Sequence, residues 1–154
     1  MDSVVADEFL EGVARIERRD ALPPVAALHL PPAFTRGTRE GEFCAIELEG
    51  GAIGLSYLLL GDTFDEMQAA QPGARIAGMP ARELAGWYRE ADPVKRTLGF
   101  AAINAVSQHW FRQSGFAFDW ATDSIGRLDP QPGERIGMVG LFGPLLDRIV
   151  AAGA

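Results

Sequence analysis

Residues 43–60 read FCAIELEGGAIGLSYLLL, two apolar runs joined by Gly50-Gly51. A diglycine supplies positive φ at both corners of a type I′ turn, so the stretch predicts a β-hairpin with a two-residue loop. That loop sets Leu48 opposite Ile53, Ile46 opposite Leu55 and Cys44 opposite Tyr57, with all six side chains on one face. On the other face Glu47 and Glu49 meet Ala52, Gly54 and Ser56. The expected product is a one-sided antiparallel sheet whose apolar face needs helices to cover it.

Upstream, Val5, Phe9, Val13 and Ile16 fall on one helical stripe, with Ser3 as N-cap and Arg18 and Arg19 near the end, so a helix is predicted over 3–18. Pro23-Pro24 and Pro31-Pro32 bracket a short extended run over 25–30, which proline confines to a strand at a sheet edge or to one that stops abruptly. Downstream, Asp62 can cap one short helix, and Pro80 opens another in which Leu84, Trp87 and Tyr88 share a face. Asp92 as N-cap and Pro93 at the first helical position start the strongest helix, which stops at Ser114-Gly115. Its Leu98, Ala101, Ala102, Ala105 and Val106 make a small-residue face, while Phe100, Ser107 and Phe111 line another side. Apolar residues on more than one side mark a helix buried between neighbours.

From 115 to 134 the composition shifts to Asp, Gly and Pro mixed with Phe116, Phe118 and Trp120, as in a crossover between domains. Residues 135–142, RIGMVGLF, then read as a nearly continuous apolar strand. Gly143-Pro144 leads into a helix with Leu145, Leu146, Ile149 and Val150 inward. Strand followed directly by helix opens a parallel α/β unit.

The chain has 154 residues, 47% of them apolar, enough for one ordinary domain and too few for two complete ones. Its 21 acids against 14 bases, a formal charge of −7, argue against a nucleic-acid partner, which needs a positive footprint. One cysteine excludes an internal disulfide. The first 20 residues place acids where a secretory signal needs positive charge, and no apolar run approaches the roughly 20 residues that span a bilayer. A soluble, cytoplasmic protein is expected.

Few residues suggest chemistry. Gly137, Gly140 and Gly143 give G-x-x-G-x-x-G at a strand-to-helix turn, where backbone N–H groups could receive an anion; the spacing is not that of a dinucleotide fingerprint, and close packing also explains the glycines. Asn104, inside the buried helix, needs hydrogen-bond partners; it is either a tie from the core helix to a loop carbonyl or a ligand contact. Cys44 reads as a core thiol. His29 and His109 lie far apart with no carboxylate at motif spacing. Asp62, Asp65 and Glu66 could hold a hard cation, although a solvated helix start accounts for them too. No triad or carboxylate pair stands at recognisable spacing, so the residues name no reaction.

Three stretches, AIELEGGAIGLSYLLL, RTLGFAAINAV and GERIGMVGLFGPLLDRI, together resemble the putative heavy-metal chelation family in order and spacing. The resemblance implies an α+β fold: an enolase-N-terminal-like domain over 1–114, whose three-stranded antiparallel sheet is covered by helices, then a crossover over 115–134. Residues 135–154 would be the first strand-helix unit of a Rossmann-like domain. Family members continue into further strands, so the 135–142 strand is expected to pair with the hairpin sheet, a second copy or a separate polypeptide.

The implied function is binding of a heavy metal, a metal complex or an anionic small ligand in a cleft between the two domains. Asn104, Gly140, Phe142, Gly143 and Pro144 would be the contacts, with the metal ligands unspecified. The alternative is a non-catalytic assembly module that completes its α/β sheet with a partner chain, its aromatics at 116, 118 and 120 serving as anchors. A nicotinamide-dependent oxidoreductase comes third, because too little of the second sheet is present to complete a cofactor site.

Overall fold

The computed structural model describes residues 4–118, 130–140 and 143–154, the side chain of Pro144 excepted. The chain divides into two compact units, Met1–Phe116 and Ala117–Ala154. The first is α+β. Its helices and strands run α1 (Val4–Glu17), β1 (Val25–His29), β2 (Phe43–Leu48), β3 (Ile53–Tyr57), α2 (Thr63–Ala70), α3 (Gly73–Ile76), α4 (Ala81–Gly86) and α5 (Pro93–Gln113). The strands form one antiparallel sheet in the order β1-β2-β3. No helix among the described residues is long and apolar enough to cross a membrane.

The hairpin forms where the sequence places it, but in another register. Cys44 pairs with Ser56, Ile46 with Gly54 and Glu47 with Ile53. The Leu48 amide donates to the Ala52 carbonyl at 2.9 Å, so the loop holds three residues, Glu49, Gly50 and Gly51. Both glycines have positive φ, 91° and 80°. A slip of one residue exchanges the faces of a strand. Ala52 and Ser56 therefore turn inward with Cys44, Ile46 and Leu48, while Ile53, Leu55 and Tyr57 remain 46%, 53% and 39% exposed.

The cause is α5. A Cβ at Gly54 would stand 2.1 Å from the Ala105 amide nitrogen and 2.2 Å from the Ala101 carbonyl oxygen. The helix backbone rests on the bare α-carbon of the strand, so only the small-residue face of β3 can point inward. The other side of α5 is equally close to its neighbour: a Cβ at Gly99 would meet the Tyr88 amide nitrogen at 2.3 Å. Leu98, Ala101, Ala102, Ala105 and Val106 are buried between these two contacts. The helix starts as its sequence predicts, with Asp92 accepting from the Lys95 amide at 2.9 Å and Pro93 in the first turn.

In α1 it is Ala6, Val13 and Ala14 that are buried, whereas Val5, expected inward, is 56% exposed. Ser3, its expected cap, lies outside the described residues. The outer edge of β1 is held by the chain after α3: the Val25 amide donates to Met79 and the Gly78 amide to Val25.

The second unit contains α6 (Gly143–Ala151). Residues 135–140, expected as the start of a strand, are not in one, and Phe142 lies outside the described residues. Their apolar composition satisfied the pattern of a strand, but no strand among the described residues pairs with them, and an extended segment without a ladder has no sheet to join. Instead the Gly133 amide donates to Gly153 at 2.8 Å, tying the segment before 135 to the turn after α6. Of the four residues expected inward on α6, Ile149 is buried and Leu146 and Val150 are exposed.

Candidate functional site

A cleft of about 400 Å³ opens in the first unit where four segments meet: the end of β3, the start of α2, the turn after α4 and the first turns of α5. It is within the size range of small-molecule sites, which are mostly apolar with a few placed polar groups. Its aromatic lining is Tyr57, Tyr88 and Phe100. Tyr88 and Phe100 lie 5.3 Å apart between ring centroids, and Phe9 meets both edge-on at 6.1 and 6.0 Å. Tyr57 is set by an edge contact with Phe43 at 5.6 Å. These rings are braced before any ligand arrives.

The polar lining is small. Thr63 spends its hydroxyl on the Leu60 carbonyl at 2.6 Å. Ser56 and Thr97 are each 6% exposed and bring two further hydroxyls from strand and helix. Arg96 stands in the first turn of α5, where Nε donates to the Glu90 carbonyl at 3.1 Å. That bond orients the guanidinium and leaves the Nη side of the fork outside it, the arrangement that suits a planar anion.

The other candidates fall elsewhere. Asn104 lies two turns further along α5 and donates from Nδ2 to the Leu55 carbonyl at 2.8 Å. The bonded pairs Leu48–Ala52 and Glu42–Leu58 fix the alternation of the ladder, so this carbonyl points away from β2. Asn104 thereby ties the core helix to the free edge of the sheet. Asn104→Ala is expected to cost about 1 kcal/mol in urea unfolding, one net hydrogen bond; an unchanged midpoint would show that water replaces the amide. Gly140, with φ of 86°, and Gly143 and Pro144, which open α6, lie in the second unit.

Both histidines have carboxylate partners that motif spacing could not reveal. His29 Nε2 lies 2.8 Å from Glu47 across the exposed sheet face, and His109 Nε2 2.9 Å from Asp20, 89 residues away. Asp65 is paired with Arg36 through both oxygens, and this hydrogen-bonded charge raises the pKa of the guanidinium. Among the described residues no three His, Cys, Asp or Glu side chains converge as a metal site would require.

Cys44 is buried, and burial pushes its thiol up from the ordinary 9.0 to about 11. Because the thiolate is the disfavoured form in the folded state, the contribution of Cys44 to stability is intact below pH 9. It is lost as pH rises through about 11. A thiol reagent at pH 8 should therefore leave Cys44 untouched until urea unfolds the chain, whereas rapid labelling of the native protein would contradict its burial.

Residues 40–107 match the family model described as putative heavy-metal chelation. The resemblance read from the sequence holds over that segment. A solved structure also resembles the chain: a protein of unknown function from the DUF364 family of Desulfitobacterium hafniense DCB-2, 20% identical, with a TM-score of 0.58. The likeness covers 95% of this chain and 55% of that one, and at this identity it speaks for the fold alone. No curated protein matches. All the residues lining the cleft fall within the matched 40–107 segment, as does Asn104, whereas Gly140, Phe142, Gly143 and Pro144 fall after it.

Proposed function

We propose that the protein binds a small ligand, such as a metal held in a chelating organic molecule, in the cleft between β3 and the start of α5. The coincidence of that cleft with the segment matching the heavy-metal chelation family carries the reading. A bare soft cation would need converging thiolate, imidazole or carboxylate groups. The cleft offers rings, hydroxyls and one guanidinium, which suit the organic frame around a metal better than the ion itself. In the second unit, Gly140, Phe142, Gly143 and Pro144 stay in the proposal as contacts for an anionic group, as does Asn104 in the first.

The test is native mass spectrometry with elemental analysis on the full chain, before and after incubation with the small-molecule fraction of a cell extract. Ala91 lines the cleft and is itself exposed, so Ala91→Trp should fill the opening without disturbing the core. Excess mass on the parent chain that disappears in Ala91→Trp is the expected result. Excess mass equal in both, or none in either, would refute the cleft as the site.

One observation favours a second reading, the assembly module: Phe43, Ile53, Leu55 and Tyr57 expose an apolar face on β2 and β3. Contiguous exposed apolar surface marks contact sites. Asn104 takes one group of the β3 edge, the Leu55 carbonyl, and the partner chain of this reading covers the apolar face. Sedimentation of the parent chain as a dimer, and of Leu55→Glu as a monomer, is expected under this reading; a monomeric parent would remove it.

A further inference from the structure

The lining of the cleft specifies its occupant more narrowly than the family description does, and we propose that the ligand is a flat aromatic acid whose carboxylate meets Arg96 and whose ring packs on Tyr88 and Phe100. The inference rests on the reading of the cleft as the ligand site and adds the chemical class.

Three observations converge on it. The Tyr88–Phe100 pair is tilted by only 32°, and Phe9 abuts both rings, so the two present a nearly continuous aromatic wall of fixed orientation. Offset or edge contact with such a wall rewards a ligand that is itself a ring. Arg96 is anchored through Nε alone, which preserves the two-donor Nη edge that a carboxylate matches. It also stands in the first turn of a 21-residue helix, where the dipole favours negative charge on the ligand.

The same position carries an opposing charge, which limits how much anion the site can take. Asp92 caps α5 and occupies the Lys95 amide, so the backbone donor that an unoccupied helix start would offer is already used. Recognition of the acid therefore falls to Arg96 and to the Ser56 and Thr97 hydroxyls. This set suits one carboxylate and not a phosphate, whose further charge would face the Asp92 carboxylate.

An aromatic acid with donor atoms beside its carboxylate is a metal chelator in its own right, and the protein need then supply no metal ligand of its own. Pyridine-2-carboxylate, added metal-free, is a suitable probe because it is flat, singly anionic and chelating; benzamide lacks the charge and cyclohexanecarboxylate lacks the ring.

Binding to the full chain would be measured by calorimetry and by saturation-transfer NMR. Pyridine-2-carboxylate is expected to bind at least about tenfold more tightly than either control, and Arg96→Gln to weaken it about tenfold, the worth of one charge-assisted contact. Arg96→Lys should restore part of that loss, since it keeps the charge without the fork. Benzamide or cyclohexanecarboxylate binding as well as pyridine-2-carboxylate, or indifference to Arg96→Gln, would overturn the ligand class. If such binding still vanished in Ala91→Trp, the cleft would stand as a ligand site of another chemistry. No binding by any probe would also overturn the class, and the mass measurement on the parent and Ala91→Trp chains then decides the site separately.

Discussion

Gly54→Ala is expected to destabilise the first unit by about 3 kcal/mol or more, an unusually large cost for adding one methyl group. The added carbon would stand 2.1 Å from the Ala105 nitrogen, 2.2 Å from the Ala101 oxygen and 2.7 Å from the Asn104 carbonyl carbon, all of them helix backbone. Backbone cannot swing aside as a side chain can. Nor can α5 retreat as a body, because Gly99 on its far side already holds the turn at Trp87 and Tyr88 at the limit of approach. Gly54 has no positive φ, so the cost is steric and not a matter of glycine's conformational freedom. Urea unfolding followed by far-ultraviolet circular dichroism would measure it. A midpoint close to that of the parent would mean that helix and strand can separate, and that the small-residue contact does not set the register.

The second large effect concerns a pair of isoleucines. Ile46→Ala is expected to cost about 4 kcal/mol, toward the upper part of the range for such truncations. Ile46 is fully buried on the central strand, and its partner across β2 and β3 is Gly54, which has no side chain to move into the space. Ile53→Ala should cost less than about 1 kcal/mol, because that side chain stands on the outer face. A two-residue loop would place both isoleucines on the same face. Comparable losses at the two positions in thermal or urea unfolding would restore that register and reject the one described above.

Much of the fold was legible because its signals are local. Asp92-Pro93 announces the start of α5, and the prolines around 25–30 delimit β1. The register was not legible from Gly50-Gly51 alone, since the dipeptide fits a two-residue loop as well as the last two residues of a three-residue one. The deciding information lay elsewhere, in the match between Ala52-x-Gly54-x-Ser56 and the small face of α5, Ala101, Ala102 and Ala105. Small residues facing each other across 50 positions describe a close approach, and counting apolar residues in the hairpin overlooks it.

For the candidate site the limit is similar. The cleft draws on segments spread from 56 to 100, and no two of its polar groups stand at motif spacing. Asn104, an amide inside a helix, does find a backbone carbonyl, but on strand β3 at Leu55 and not on a loop as the sequence suggested. His109 found its carboxylate on the chain leaving α1, a pairing that only tertiary structure creates. Residues 135–140 show the converse problem: a composition fit for a strand does not make one without a neighbour among the described residues.

The three-residue loop over 49–51 also sets the kind of genetic change this chain can absorb. Glu49 and Gly50 lie at the surface and Gly51 is half-exposed; a change at Glu49 ordinarily matters little, whereas a side chain at Gly50 or Gly51 would be strained by their positive φ. The length of the loop matters too. Deleting one residue would favour the two-residue connection, turn Ile53, Leu55 and Tyr57 toward α5, and bring side chains to the place where only a bare α-carbon fits. Insertions and deletions here, beside substitutions of the two glycines, are the changes that selection should remove.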